Sequence, residues 1–209
     1  MEIILIFIIL ILLCSIVIHE VSHGLMADYL GDPTAKNEGR LTLNPIKHLD
    51  PIGSILVPLI LIISRVGIVF GWAKPVPINP FNLRDKVYGQ AKVAIAGPLA
   101  NILIALIFGT ALRFLPFLFS ARIGTNLTII FSYIVWINLI LAIFNLLPIP
   151  PLDGSHILFT FLPKQFDGLK IFLIQYQLFI LLFFIFFCLH LIIPLVNWIF
   201  YLIVGIPFF

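Results

Sequence analysis

Long apolar runs alternate with short polar connections along the chain. Runs long enough to cross a hydrocarbon core of about 30 Å occupy residues 3–25, 93–114, 127–147 and 171–193, and a shorter run occupies residues 194–209. A further run, Ile52–Phe70, contains a proline, glycines and an arginine, which are unfavourable in a helix that faces lipid. The pattern predicts an all-α polytopic membrane protein with about four to six membrane segments.

Two polar connections flank the run Ile52–Phe70. Residues 28–51 contain GRLTLNP, and residues 71–92 contain GWAKPVPINP. The alternation Leu-Thr-Leu in the first, and β-branched residues between prolines in the second, are typical of short strands or sheet edges. We therefore expect short membrane-associated β-strands around Arg40–Asn44 and Val76–Asn79.

The basic residues test whether Ile52–Phe70 crosses the bilayer, because short cytoplasmic loops are enriched in Lys and Arg. If the run does not cross, nine basic residues share one side and only Arg113 and Arg122 lie on the other. If it crosses, the same charges divide almost evenly. The nine residues are Lys36, Arg40, Lys47, Lys74, Arg84, Lys86, Lys92, Lys164 and Lys170. Charge bias thus predicts that Ile52–Phe70 is re-entrant or otherwise non-crossing and that both polar connections are cytoplasmic.

Composition agrees with a membrane protein. Hydrophobic residues make up 62% of the 209 residues and charged residues 10%, whereas a soluble domain has about 45–50% and about 25%. We expect one integral domain over residues 1–209. The net charge of +3 resides in short loops, where it orients the chain, so it indicates no nucleic-acid partner. No pattern indicates an oligomeric state.

Ionisable residues stand at the end of the first apolar run, in the sequence HEVSH. His19 and His23 are one helical turn apart, so both imidazoles can project from one helix face and bind the same zinc ion. Glu20 lies beside them, placed to act as a general base without filling a coordination position. Isolated buried histidines usually only satisfy hydrogen bonds. In a membrane helix, however, ionisable residues are functional by default, which favours the metal site.

A catalytic zinc usually has three protein ligands, so a third is expected elsewhere. Asp153 lies in FNLLPIPPLDGSH, where prolines interrupt an apolar helix. Irregular backbone at membrane depth is tolerated where it lines a cavity. Alternatively, Asp153 only caps the next helix. Two secure crossings separate His23 from Asp153, so the two residues share a side only if Ile52–Phe70 does not cross.

Five ordered motifs together resemble the site-2 protease family of intramembrane zinc metalloproteases, in its prokaryotic branch without PDZ or CBS domains. The motifs are HEVSH, GDPTAKNEGRLTLNPIKHLDPIGS, FGWAKPVPINP, GPLAN and NLLPIPPLDG. They cover residues 15 to 160 approximately. The resemblance implies a catalytic core at about residues 1–163, with C-terminal membrane segments at about residues 170–209.

The resemblance also implies roles for individual residues. His19, His23 and Asp153 would bind one Zn2+ per chain, Glu20 would activate a water molecule, and Asn145 would hold the scissile peptide or its oxyanion. Substrates would be transmembrane proteins, cut within or near their membrane segments in regulated intramembrane proteolysis. The active site would lie towards the cytoplasmic side of a prokaryotic plasma membrane. An unwound substrate could pair with the edges of the predicted strands.

Several polar residues keep open interpretations. Asn101 bonds across helices near the site as a supporting residue, or GPLAN marks only a close-packed helix start. His156 orients the site or meets interfacial water. His48 is expected to make a loop hydrogen bond. Arg65 could pair with a carboxylate or with a lipid phosphate.

The main alternative function is a membrane metal-ion transporter or channel that uses His19, His23 and Asp153 as a metal pathway. Such a protein would not need Glu20 beside the ligands. We therefore expect a zinc metalloendopeptidase.

Overall fold

A computed structural model of the chain describes residues 2–64, 71–118 and 121–208. Its α-helices are α1 (Glu2–Tyr29), α2 (Thr34–Asn37), α3 (Val57–Ile63), α4 (Gly89–Leu118), α5 (Ala121–Asn145), α6 (Asp153–Phe161), α7 (Asp167–Gln175), α8 (Gln177–Phe183) and α9 (Leu189–Val204). Short 3-10 helices cover Pro45–His48, Pro80–Asn82 and Lys164–Phe166, and π-helices cover Pro51–Leu56 and Phe184–Cys188.

Three helices in the described part of the chain are long and apolar enough to cross a membrane. These spans are Ile6–Tyr29 in α1, Gly89–Phe114 in α4 and Leu127–Asn145 in α5. A fourth span results if the pair Lys164–Gln175 and Gln177–Cys188, bent by 71°, is counted as one. The predicted helical membrane protein is confirmed at this level, with three spans or up to four.

The apolar core lies where α4, α5 and α9 pack together. Its buried residues are Ala105 and Leu112 of α4, Val135 and Leu139 of α5, and Ile192, Val196, Phe200 and Val204 of α9. On the perimeter of this bundle, Trp136 Nε1 donates a hydrogen bond to Asn197 Oδ1 at 2.9 Å, joining α5 to α9. The bundle gives α4 and α5 a fixed relative position, which matters because both support the polar residues described below.

The boundary expected at Pro194 is wrong, because Pro194 lies inside α9. Proline removes one backbone donor and crowds the preceding turn of a helix. The π-helix Phe184–Cys188 directly precedes α9, and Cys188 leaves ideal helical geometry with φ −112°. The last helix therefore begins after this irregular turn, at Leu189, and not at Pro194.

The predicted β-strands are wrong for both segments, since the described residues contain no strand. In Arg40–Asn44 and Val76–Asn79, backbone groups have side-chain partners instead. The Thr42 carbonyl lies 2.8 Å from His48 Nε2, and the Asn79 amide donates to Asp32 Oδ2 at 2.6 Å. A side chain also binds the two residues just before Val76. The Arg40 guanidinium donates to the carbonyls of Lys74 and Pro75, at 2.9 and 3.3 Å. Pro77 in the second segment also lacks the donor that a ladder needs. We refer to the irregular residues 72–79 as the strap.

The first residue of the strap, Trp72, is hydrogen-bonded to residues at the start of the run 52–70, so the chain just after this run lies close to its start in space. The Trp72 amide donates to the Gly53 carbonyl at 3.2 Å, and Trp72 Nε1 donates to Asp50 Oδ2 at 2.7 Å. Ser54 Oγ donates to the Trp72 carbonyl at 2.8 Å. Residues 65–70, including Arg65, lie outside the described residues.

Two loops hold the rest of the strap. The Lys74 amide donates to the backbone carbonyl of His48. The Nε2 atom of the His48 ring lies 2.8 Å from the Thr42 carbonyl oxygen. The loop hydrogen bond expected for His48 is therefore present. At the other end of the strap, the Asn79 amide donates to Asp32 Oδ2 at 2.6 Å. The strap is thus fixed at both ends by backbone hydrogen bonds.

Hydrogen bonds also keep the Asp32 carboxylate charged. Burial alone would raise the pKa of Asp32, but donors from Thr34, Asn82 and Asn79 outweigh burial and hold the pKa below its usual value. The side chain is fully buried. A charged, fully hydrogen-bonded Asp32 therefore anchors the strap at neutral pH.

Candidate active site

The last turns of α1 place two buried histidine rings side by side. His19 and His23 are both 6% exposed, and their Nε2 atoms lie 3.1 Å apart. Residues four apart on a helix share a face. The expected pairing of the two imidazoles on one face is therefore present.

Asp153 reaches the same point from the first residue of α6. Its Oδ2 atom lies 3.1 Å from His19 Nε2 and 3.3 Å from His23 Nε2. The chain turns sharply between α5 and α6, and Gly154 packs directly on the carbonyls of Leu146 and Leu147. A Cβ at position 154 would overlap those carbonyls, so the glycine after Asp153 allows the close turn that delivers the carboxylate.

The three side chains fit a tetrahedral zinc ion. Ligand atoms about 2.0–2.2 Å from tetrahedral zinc stand roughly 3.3 Å from one another, and the three separations here are 3.1, 3.1 and 3.3 Å. Two imidazole nitrogens and one carboxylate oxygen are a common donor set of catalytic zinc. Helix α4 also leaves space beside them, because a Cβ at Gly97 would overlap His23 Nε2 and lie 2.6 Å from His19 Nε2.

The outer nitrogens of both rings are hydrogen-bonded to α4. His19 Nδ1 lies 2.5 Å from Asn101 Oδ1, and His23 Nδ1 lies 2.8 Å from the Val93 carbonyl. Such bonds orient the imidazoles that ligate metals. Asn101 thus lies next to the site, as one of its two interpretations required. Because α4 begins at Gly89, the other interpretation of GPLAN as a helix start is wrong.

Glu20 lines the same cavity as His19, His23 and Asp153. Its Oε2 atom accepts a hydrogen bond from the Val76 amide of the strap at 2.9 Å. One carboxylate oxygen is therefore held by backbone, which leaves Oε1 to face other partners. Sequence reasoning did not identify this contact between the strap and Glu20.

The cavity at the site has a volume of about 400 Å3. Its walls are α1, the strap, the start of α4 and the segment from Asn145 to His156; the lining residues are His19, Glu20, His23, Pro75, Val76, Ile78, Pro80, Gln90, Val93, Ala94, Asn145, Pro151, Asp153 and His156. Asn145 Nδ2 donates to the Leu141 carbonyl at 2.9 Å. One amide hydrogen of Asn145 remains for another acceptor.

The sequence did not predict three residues that support the site without lining its cavity. Asn138 and Ser15 bond to one another and lie next to Asn101, and Arg40 holds the strap that contacts Glu20. An uncharged amide within an apolar helix was the available signal for Asn138. Its partner could not be chosen from the sequence, because many polar groups could have met it.

Comparison with known proteins connects this geometry with a family. Residues 118–189, which include Asp153, match the family described as Peptidase family M50. The chain is also 41% identical to YwhC of Bacillus subtilis (strain 168) over 161 residues, which are 75% of this chain and 69% of YwhC. The chain belongs to peptidase family M50. This membership confirms the resemblance to site-2 proteases and makes the protein a zinc metalloprotease.

Other M50 relatives match a smaller share of their own length. Rip2 of Mycolicibacterium smegmatis (strain ATCC 700084 / mc(2)155) is 32% identical over 143 residues, which are 68% of this chain and 52% of Rip2. YwhC and Rip2 are both described as zinc metalloproteases, an activity that has been assigned to them by inference. This chain thus spans about half the length of Rip2. No solved structure matches the chain.

Proposed function

We propose that His19, His23 and Asp153 bind one Zn2+ and that the protein hydrolyses peptide bonds within or near transmembrane segments of membrane proteins. The convergence of the three ligand atoms in a cavity that also contains Glu20 carries this proposal. Helices α1 and α6 supply the ligands, and α1 is itself one of the apolar spans. A peptide therefore reaches the site only at membrane depth or at its edge.

Glu20 moves the proton in this proposal. Zinc, when bound, polarises the scissile carbonyl and makes the attacking water more acidic. Glu20 accepts a proton from that water through Oε1, while the Val76 amide holds Oε2 in place. Glu20 then delivers the proton to the leaving nitrogen, so the carboxylate ends the cycle in its starting form.

Asn145 and the cavity walls hold the peptide. The free amide hydrogen of Asn145 can donate to the oxygen that gains charge in the transition state, a contribution of about 3 kcal/mol in other enzymes. A helical substrate hides its carbonyls in its own hydrogen bonds, so the segment to be cut must unwind before it enters. The apolar side chains of Val76, Ile78 and Val93 line the space that such a segment would occupy.

Contacts of the strap support a proposed position relative to the membrane. We propose that residues 52–70 do not cross the bilayer, since Trp72 returns to Asp50 and Gly53. The site then lies on the side of the two basic connections, which is the cytoplasmic side by charge bias. A multi-pass protein of the prokaryotic plasma membrane is the setting that this orientation fits.

Cleavage of a model transmembrane substrate in liposomes tests the proposal. Glu20→Gln removes the base but none of the three ligands, so we expect cleavage to fall at least about 100-fold while bound zinc stays unchanged. Glu38→Gln, in an exposed loop, is the matched control and should leave cleavage intact. Zinc content is measured by mass spectrometry on the same samples.

Zinc flux across the membrane of the same liposomes distinguishes a protease from the alternative, a metal-ion transporter or channel. Zinc flux that survives Glu20→Gln, together with no cleavage of any transmembrane substrate by the wild type, would show a transporter and contradict the proposal. Cleavage without flux is the expected result.

A further inference from the structure

A line of buried amides leads from His19 away from the cavity. Asn101 Oδ1 faces His19 Nδ1, and Asn101 Nδ2 donates to Asn138 Oδ1 at 2.8 Å. Asn138 Nδ2 donates in turn to Ser15 Oγ at 2.9 Å and to the Ile134 carbonyl at 2.8 Å. Asn101 and Asn138 are both fully buried. We propose that Asn138 is a positioning residue, which fixes the orientation of Asn101 and through it the orientation of the zinc ligand His19.

The direction of every bond in this line follows from the Ile134 carbonyl. A carbonyl oxygen can only accept, so the amide atom of Asn138 that faces it must be the nitrogen. The oxygen of Asn138 therefore faces Asn101, whose nitrogen must point towards it. The oxygen of Asn101 is then left for His19.

The histidine receives a defined tautomer as a result. An amide oxygen beside Nδ1 requires that Nδ1 carry the proton, which leaves the lone pair of Nε2 free for a metal. His23 needs no such arrangement, because its Nδ1 faces the Val93 carbonyl directly. Asn101 differs from that carbonyl because a side-chain amide can turn by 180° and present a donor instead. Asn138 restricts this freedom through its 2.8 Å bond to Asn101 Nδ2, and the Ser15 carbonyl adds a longer contact of 3.5 Å to the same nitrogen.

The inference rests on the zinc site proposed above, and zinc affinity is its direct readout. Asn138→Leu keeps the volume but removes the acceptor that holds Asn101, so we expect zinc affinity to fall about 10-fold or more, as for other residues behind zinc ligands. Asn138→Ala, which cannot overpack the helices, should show the same loss. Competition with a chelator in detergent solution measures the dissociation constant.

Two further variants separate positioning from general damage. In Asn138→Asp, burial favours the protonated acid, whose hydroxyl can donate to the Ile134 carbonyl while its other oxygen accepts from Asn101. This variant should therefore retain zinc affinity within about threefold of the wild type. Asn197→Leu removes another amide that joins α5 to a neighbour, through Trp136, and should leave zinc affinity unchanged. The Trp136 contact lies at the perimeter and has no bond to the line of amides.

A double-mutant cycle supplies the decisive comparison. If Asn138 acts through Asn101, Asn138→Leu lowers zinc affinity in the wild type but changes it little further in an Asn101→Ala background. Equal losses in both backgrounds, or no loss in the wild type, would overturn the inference. A wild-type protein that binds no zinc would instead overturn the proposed function. Each measurement is made on the full chain, and thermal unfolding of every variant identifies loss of the fold.

Discussion

At Gly97, helix α4 lies directly against the rings of the two proposed zinc ligands His19 and His23. Any side chain there would enter the space beside both Nε2 atoms, because even a Cβ overlaps that of His23. Helix interiors usually disfavour glycine by about 1 kcal/mol relative to alanine. At this position the missing side chain is required, so the usual preference is reversed.

Gly97→Ala should therefore impair the site although alanine favours helix. We expect zinc affinity to fall at least about 10-fold, because the added methyl group must displace one of the two imidazoles. Chelator competition measures the change. Gly168→Ala is the control, since a Cβ at that position meets nothing within 4 Å. Unchanged zinc affinity in Gly97→Ala would mean that the rings can move aside without losing the metal.

Much of the site could be predicted from single residues. The spacing in HEVSH placed His19 and His23 on one face, and the proline-interrupted stretch indicated Asp153. These predictions succeeded in geometry because helical periodicity is local and because ionisable residues at membrane depth have few roles. Asn138 was not predicted, since its function depends on contacts with residues in two other helices.

At the scale of elements, the strap connects the loops with Glu20, the proposed base. Arg40 is 7% exposed and holds the carbonyls of Lys74 and Pro75, immediately before the amide that binds Glu20. The guanidinium is planar and carries several donors in a fixed arrangement, which suits two successive carbonyls. Arg40 thus contributes to the position of Glu20 without touching the cavity.

Arg40→Lys should lower turnover more than metal binding. A lysine ammonium is a compact donor on a flexible stem and does not reproduce the planar contact, so the strap loses its hold on Glu20. We expect kcat to fall about 10-fold and zinc affinity to stay unchanged, measured with the liposome cleavage assay and chelator competition. Lys47→Ala is the control, because Lys47 bonds a loop carbonyl, that of Gly39, and is exposed. An equal loss of zinc affinity in Arg40→Lys would contradict this role.

Three of the four long apolar runs were predicted correctly as single helices. About twenty consecutive apolar residues predict a membrane helix, and α1, α4 and α5 appear where expected. The run 171–193 is as long, but it is divided by a bend of 71° between Gln175 and Gln177. The strands were wrong because a short alternation does not reveal which partner will take the backbone groups. In the strap, side chains such as Arg40 and Asp32 took them.

At the scale of the whole molecule, the proposed zinc site joins the first helix to the sixth. His19 and Asp153 are 134 residues apart in sequence but 3.1 Å apart in space. Helix α4 contacts both α1 and α6 and supports both histidines. Metal binding is therefore expected to stabilise the contact of α6 with the rest of the molecule.

Zinc removal should lower the thermal stability of the whole chain. A ligand that binds only the folded state stabilises it by about 2.7 kcal/mol at a concentration 100 times its Kd. We expect Tm in detergent to rise by roughly 5 °C or more when zinc is restored. Asp153→Ala removes one ligand and should lose most of this dependence. A zinc-dependent rise of equal size in Asp153→Ala would place the stabilising ion elsewhere.

The distance in sequence between the ligands also has a consequence during synthesis. A nascent chain that has passed His23 but not reached Asp153 carries only two of the three proposed ligands, whatever the zinc concentration. By the time Asp153 is made, the sequences of α4 and α5 have already left the peptidyl transferase centre, since both precede it in the chain. Under the proposed function, hydrolytic competence therefore waits until the supporting helices have been translated, so an incompletely synthesised chain is expected to cleave no peptide bond.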